Sequence, residues 1–303
     1  MSQEAHPHRL GLGISVSLVA YLFFASASSL VWTFQGRFPT IQIIFIQNFV
    51  SLLCTLPYSI RHGFEHLRSD NIPVHLIRDL FGVSSYFLFF LAIRQLDLVN
   101  ATILNYTAPF FVPFVMLLWM GQKITLSVWW SILVGFIGVA VILNPTRDIF
   151  SIGILTGIGA ALCSAIAAGA LSILNLRKEP LGRTLFYYFT VGTALSLPLA
   201  EYYWVPPTPT EWLAVIAIGV ATAIGQLLLT YAFKHGTAAY LSPLGYSTVL
   251  YNAMSSYWLF GKPLTLNTFA GAILIIAGGS ISYILRKKPH NVRETFENDP
   301  PKT

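Results

Sequence analysis

Charge is what this sequence has least of. Of its 303 residues, 18 are Lys or Arg and 12 are Asp or Glu, 10% in all, where ordinary soluble domains carry about 25%. A water-soluble globular domain is thereby excluded. Cysteine is scarcer still: Cys54 and Cys163 both fall in apolar stretches, and neither a disulfide framework nor a metal-ligand spacing can be drawn from two such residues. None of the 12 carboxylates and none of the 7 histidines falls near the middle of a long apolar run; Asp79, Asp97, Glu201 and Glu211 all sit toward run ends. The paired aspartates of an intramembrane protease, a metal-binding H-E-x-x-H and a serine with a base are therefore missing at membrane depth. No Walker motif or glycine-rich phosphate loop is present either. Enzyme and primary pump are both set aside, and no catalytic residue, cofactor or metal is expected.

What remains is apolar: 55% of the chain is hydrophobic, 14% aromatic, and the mean hydropathy is +0.65. The few charges act as punctuation. The intervals Arg9–Arg37, Arg37–Arg61, Arg94–Lys123, Lys123–Arg147, Asp148–Arg177, Arg183–Glu201, Glu211–Lys234, Lys234–Lys262 and Lys262–Arg286 each hold about one bilayer's worth of helix, roughly 20 residues. A tenth span, residues 74–96, is acceptable if Arg78 and Asp79 sit at the head-group level and reach water. The expected helices are 10–33, 40–60, 74–96, 98–120, 125–143, 152–175, 183–203, 211–232, 239–260 and 264–285. The first is too long for a cleavable signal core. Continuous apolar runs, without alternation, exclude a β-barrel.

Ten spans place both termini on one side. With both inside, the inner segments carry Arg9, Arg61, Arg68, Arg78, Lys123, Arg177, Lys178, Arg183, Lys234, Arg286, Lys287, Lys288, Arg293 and Lys302, and the outer loops only Arg37, Arg94, Arg147 and Lys262. That bias reads as N-in, C-in. It also accounts for the basic balance without a nucleic-acid partner; the basic stretch RKKPHNVR (286–293) can touch anionic lipid, and such tails usually serve only as anchors.

The chain also repeats itself. A shift of 140 positions, without a gap, pairs Arg94 with Lys234, Tyr106 with Tyr246, Gly121 with Gly261, Thr125 with Thr265 and Leu126 with Leu266. The same shift pairs Gly13 with Gly153, Ala20 with Ala160 and Ala25 with Ala165. One register across both ends of a five-helix unit indicates duplication. Residues 10–148 form the first unit and 149–285 the second, flanked by 1–9 and 286–303. Five is odd, so the second copy enters the membrane from the opposite face, and the halves are related by an axis in the membrane plane. The expected fold is an all-α integral membrane protein of two inverted five-helix repeats, the architecture of alternating-access carriers.

The passage Ala92–Leu143, with V-N-A-T at 99–102, Pro109, M-G-Q-K-I-T at 120–125 and G-V-A-V-I-L at 138–143, resembles the EamA-type repeat of the drug/metabolite transporter superfamily. A second copy begins at A-F-K-H-G-T-A-A-Y (232–240) and continues through F-G-K-P-L-T at 260–265. Such repeats usually place a glutamate after the turn glycine, where this chain has Gln122 and Lys262. The resemblance implies transport of a small organic solute, such as an aromatic amino acid or S-adenosylmethionine, across a bacterial inner (plasma) membrane, by a monomer or homodimer in contact with lipid.

Polar residues far inside apolar helices are costly unless they are paired or face a wet cavity. The candidates for a solute site are Tyr21, Asn48, Ser85, Tyr86, Asn105, Tyr106, Gln226, Tyr246, Tyr251 and Asn252. An amide-and-aromatic lining suits a planar or zwitterionic solute. For Asn48, Ser85 and Asn105 the plainer reading, a hydrogen bond to a neighbouring helix, stands level with the functional one. Trp32, Tyr202, Tyr203 and Trp204 read as interfacial anchors, and Gly153-x-x-x-Gly157 as close packing. Pro109, Pro113 and Pro243 kink or hinge their helices. Without a mid-membrane carboxylate, uncoupled exchange or facilitated diffusion is expected; the alternatives are a proton-coupled exporter and, further off, a channel or scramblase.

Overall fold

A computed structural model describes residues 7–120 except 35, 62–66 and 97; residues 130, 133–135, 137, 138 and 141; residues 151–235; and residues 241–284 except 242, 243, 246 and 262–264. Every regular element among them is helical. They are α1 (Pro7–Thr33), α2 (Thr40–Ser59), α3 (Ile72–Gln95), α4 (Leu98–Asn105), α5 (Ala108–Met120), α6 (Ile152–Leu176), α7 (Leu181–Tyr202), α8 (Pro209–Ala232), α9 (Ser247–Phe260) and α10 (Leu266–Ile284). Six stretches, Gly11–Thr33, Thr40–Ser59, Ile72–Gln95, Leu98–Trp119, Ile152–Leu176 and Pro209–Ala232, are long and apolar enough to cross a bilayer. The expected helix at 125–143, with Gln122, lies outside the described residues for most of its length, as do Lys262, Tyr246 and Pro243.

Local chemistry sets the helix ends. Ser151 accepts the Ile154 N–H at the start of α6, and Thr208 with Glu211 forms a reciprocal capping box on α8, each satisfying N–H groups that a first turn leaves open. At the end of α6, Glu179 N donates to Leu174 O and Lys178 N to Asn175 O, both at 3.0 Å. Lys178 takes a left-handed φ of 57° to make this reversal, the position where glycine is usual.

The expected helix at 98–120 is broken. α4 stops at Asn105, Tyr106 and Thr107 form a turn, and α5 restarts with Pro109 as its second residue. Proline cannot donate, and its ring opposes a continuous helix. In the second repeat, Leu244 and Gly245 form a short 3₁₀ turn before α9 starts at Ser247. Of the helix expected over 239–260, residues 247–260 are a regular helix, and most of 239–246 lies outside the described residues.

Packing follows the repeat. Under the 140-residue shift α1 corresponds to α6, α2 to α7, α3 to α8, and the α4–α5 pair to α9. α3 packs along α6, as α1 does along α8; α2 meets α8 as α7 meets α3; α5 meets α6 as α9 meets α1; and α2 meets its own counterpart α7. Each of these contacts has its symmetry mate or is its own. Directions follow from the facing residues. Gly153 at the start of α6 lies against Gln95 and Leu96 at the end of α3, and Gly182 at the start of α7 lies against Ser59 at the end of α2, so both pairs are antiparallel. A Cβ on Gly157 would stand 2.9 Å from Leu104 side-chain atoms; the expected close packing at Gly153 and Gly157 is observed.

Polar links tie the bundle at opposite ends. Arg37 Nε donates to Glu211 Oε1 at 2.9 Å, and Gln42 and Val205 bond reciprocally at 2.7 and 2.9 Å. At the other end Arg177 Nη1 donates to Asn71 Oδ1 at 2.5 Å. Residues 37 and 177, and 71 and 211, are repeat equivalents, so these two links are the same contact made twice. Glu179 sits beside the second, accepting from Ser69 Oγ at 2.6 Å, Asn71 Nδ2 at 2.7 Å and Arg183 Nη1 at 2.8 Å.

Burial pushes the Glu179 carboxyl up, but the three donors and the Arg183 charge outweigh it and hold the group below its ordinary value of 4.5. A carboxylate with a depressed folded-state pKa stabilises the fold above its unfolded value and loses that contribution as pH falls through the folded one. Glu179→Gln is expected to lower the thermal midpoint at neutral pH by the equivalent of roughly 1–3 kcal/mol. The gap between variant and wild type should close as pH falls below 4.5; a pH series of unfolding followed by tryptophan fluorescence measures it.

Candidate functional site

A cavity of about 180 Å³ lies where the repeats meet. Its wall is drawn from both halves: Tyr21 and Ser28 of α1, Arg78, Ser85 and Tyr86 of α3, Asn105 and Tyr106 at the helix break, Pro109 of α5, Ser164 of α6, Tyr188 of α7, Gln226 of α8 and Thr248 of α9. Phe24, Phe89, Phe90 and Val112 fill in between. The helix break matters here because it turns Tyr106 and Asn105 into the cavity, and interrupted helices are tolerated at membrane depth where they line such a space.

The polar rim is linked in pairs. Gln226 Nε2 reaches Tyr86 Oη at 3.5 Å, and Thr248 Oγ1 donates to Tyr106 Oη at 2.9 Å. Tyr86 and Gln226 are repeat equivalents, so their contact marks the pseudo-two-fold axis. Tyr21 and Tyr106 meet edge to face with ring centroids 6.0 Å apart, a favoured aromatic geometry. Asn105 Oδ1 is buried without a hydrogen-bond partner among the described residues. Ser85 lines the wall, yet its Oγ already donates to Ala160 O at 2.9 Å.

Three residues expected in the wall lie elsewhere. Asn48 sits in the α2–α7 seam with Nδ2 donating to Ile44 O at 2.8 Å, against Gly192, where a Cβ would stand 2.5 Å from Asn48 Oδ1. Asn252 is wholly buried in a polar cluster: its Nδ2 donates to Thr102 Oγ1 at 2.7 Å, and its Oδ1 accepts from Ser28 at 3.2 Å and Ser29 at 3.4 Å. Tyr251 is half-buried on α9 outside the wall, and Pro113 is a residue inside α5 away from it. Asn252 shows how strongly a buried side chain is drawn to partners on neighbouring helices, while Asn48 is satisfied within its own helix.

The largest departure concerns Arg78 and Asp79. Both are buried, 3% and 0% exposed, and neither reaches water at the head-group level. Arg78 Nη1 donates to Asp79 Oδ1 at 3.0 Å and to Thr184 O at 3.4 Å, and its guanidinium lies 4.2 Å from the centroid of the Tyr188 ring. Arg78, Tyr188, Ser28 and Thr248 are wall residues that sequence reasoning missed. An arginine two turns inside an apolar helix was the available signal.

Repeated bundle, central cavity and apolar helices long enough to cross a bilayer together define a multi-pass membrane protein. The chain belongs to the EamA-like transporter family, whose pattern it matches twice, over residues 11–144 and 151–284. It is 28% identical over 266 residues to the pseudopaline exporter CntI of Pseudomonas aeruginosa, covering 87% of this chain and 93% of the relative. It is 28% identical over 284 residues to the S-adenosylmethionine uptake transporter of Rickettsia felis, covering 91% and 93%. It is 27% identical over 289 residues to the riboflavin transporter of Vibrio cholerae, covering 94% and 95%. A solved crystal structure superposes with a TM-score of 0.68 at 18% identity, covering 90% of this chain and 96% of that one, and shows the same fold. With bacterial relatives and six apolar spans, this is a multi-pass bacterial membrane protein and a small-molecule transporter.

Because Asn252 ties α9 to α1 and α4 rather than facing the cavity, Asn252→Ala is expected to act on stability. A loss on the order of 1 kcal/mol should appear as a lower thermal midpoint, with the half-saturating solute concentration unchanged in transport measurements.

Proposed function

We propose that the protein moves a small amino-acid-like or related metabolite across the bacterial inner membrane by alternating access, as an uncoupled exchanger. The observation that carries this is the cavity at the pseudo-two-fold axis, walled by Tyr21, Asn105, Tyr106, Tyr86 and Gln226. Tyrosine faces and edges with amide groups offer stacking and hydrogen bonds to a solute that is part planar and part polar. The relatives' printed substrates, S-adenosylmethionine and riboflavin, both combine a planar ring system with polar groups. We assign ten crossings in two inverted repeats with both termini inside; that arrangement accounts for α3 and α6 running antiparallel and for the excess of Lys and Arg in the inner segments. Pro109, beside the helix break in the wall, is assigned as the hinge of its half.

A second reading, proton coupling, draws on Asp79. It is wholly buried inside a helix long and apolar enough to cross a membrane, and its Oδ2 has no hydrogen-bond partner among the described residues. Titratable groups in that setting commonly serve proton relays.

Counterflow in proteoliposomes preloaded with unlabelled amino acids and S-adenosylmethionine tests both. Saturable, gradient-independent entry of one labelled solute is expected, and Gln226→Ala should raise its half-saturating concentration about tenfold, the equivalent of one lost hydrogen bond. Entry only under an imposed proton gradient, abolished in Asp79→Asn, would replace the exchange reading with the coupled one. Entry that never saturates would turn the assignment toward a channel.

A further inference from the structure

Arg78 is 3% exposed and lines the solute cavity, yet its hydrogen bonds run through one nitrogen. Nη1 reaches Asp79 Oδ1 and Thr184 O; Nε and Nη2 make none among the described residues. A guanidinium carries five N–H donors in a planar fork that fits a carboxylate two at a time. In a buried site, unused donors of a charged group are expensive.

The fold does not require this charge. The repeat equivalent of Arg78 is Ile218, wholly buried, and that of Asp79 is Gly219. α8 occupies the same place in its half as α3 and packs at these two positions without an ionisable group. The ion pair is an addition to one repeat only, made on the side of the helix that borders the cavity. Its support is asymmetric as well. Tyr188, whose ring lies under the guanidinium at 4.2 Å, corresponds to Asn48 in the other half, and Gly82 is the residue that admits it: a Cβ there would stand 2.7 Å from Tyr188 Cε2. Asp79 and Thr184 O hold Nη1 from behind, and Tyr188 fixes the plane.

We propose that Arg78 is the anion-recognition residue of the cavity, and that the transported solutes carry a carboxylate that docks on its free Nε and Nη2. The assignment rests on the carrier reading above and narrows its substrate class. The carboxylate end of the solute lies at Arg78, and the planar part extends toward Tyr86, Tyr106 and Tyr21. Asp79 is a positioning residue: it spends one nitrogen of the fork and leaves the other two for the solute. A lysine in its place would supply a point charge without the paired donors.

The test uses the purified full chain in detergent, with matched probes: phenylalanine, its carboxamide, and its decarboxylated amine phenethylamine. Saturable stabilisation of the thermal midpoint by phenylalanine is expected, with apparent affinity for the amide and the amine about tenfold weaker or more, since a charge-assisted fork is lost. Arg78→Lys should retain a reduced preference. Removing Arg78 alone would strand Asp79, so the decisive variant is Arg78→Gln with Asp79→Asn, which removes both charges. It should unfold at a midpoint near wild type and bind acid, amide and amine within about threefold of one another. The inference is overturned if phenylalanine gives no saturable stabilisation, if acid and amide bind wild type equally, or if the double variant keeps the acid preference. Counterflow with the same probes separates the two levels. Equal, saturable exchange of acid and amide removes the anion role while leaving the carrier intact, whereas unsaturable flux of both removes the carrier reading itself.

Discussion

Inside this bundle a polar group cannot fall back on water, and that constraint shapes nearly every feature of the interior. A backbone or side-chain donor carried into the apolar region must find its acceptor in the protein. Ser51, Thr55, Ser59, Thr102 and Ser196 each return a hydroxyl proton to a carbonyl three or four residues back or on an adjacent helix. Asn252 gathers three hydroxyls from two other helices. Groups satisfied in this way are spent, because they have nothing left to offer a solute. Beside wall groups that are spent, such as Ser85 and Thr248, the cavity keeps some that are not: Asn105 Oδ1, the long Tyr86–Gln226 contact, and two nitrogens of Arg78 that make no bond among the described residues.

The same constraint explains where symmetry holds and where it stops. Helix packing obeys the repeat in detail, down to the Arg37–Glu211 link at one end and the Arg177–Asn71 link at the other. In the alternating-access cycle proposed above, such a frame closes in two equivalent ways, one at each end, with the cavity between them. The frame is therefore free to be symmetric, while the cavity, which must grip a solute with distinguishable ends, is not. Tyr86 opposite Gln226, Tyr188 opposite Asn48 and Arg78 opposite Ile218 are departures of that sort, and all involve residues in or beside the wall.

How much of this was legible in the sequence divides along the same line. Spans are composition: the apolar runs between sparse charges located α1, α2, α3, α6 and α8 to within three residues at either end. The repeat was legible as well, and the prolines marked a disturbance in the helix expected at 98–120; the break falls beside Pro109, whereas Pro113 is accommodated inside α5. Which polar residues face a cavity was only partly legible. Tyr21, Tyr86, Asn105, Tyr106 and Gln226 are in the wall, while Asn48 and Asn252, of the same chemical type and depth, are tied into helix seams. These helices are apolar all round, so no polar stripe marks an inward face, and the deciding partners lie far away in sequence. Arg78 was misread for a related reason. Hydropathy sends a charge to the head groups, whereas Asp79 beside it and Tyr188 on another helix let it remain inside.

Arg78 also bears on how a passive carrier can keep its cavity selective. An empty apolar pocket would accept any solute of suitable size, and a lone buried cation would bind an anion too tightly to release it. A guanidinium already sharing one nitrogen with Asp79 stands between these limits. The pair is neutral as a unit, so withdrawing it from water costs less than withdrawing a single charge. A docking carboxylate adds to the fork without having to displace Asp79 from Nη1. When the solute leaves, the guanidinium falls back on a partner already in place at 3.0 Å, and the empty cavity is not left with an unpaired charge. For an exchanger, which must pass through an empty or reloaded cavity on each cycle, that built-in counter-ion keeps the bound and vacant states close enough in free energy for either end to open.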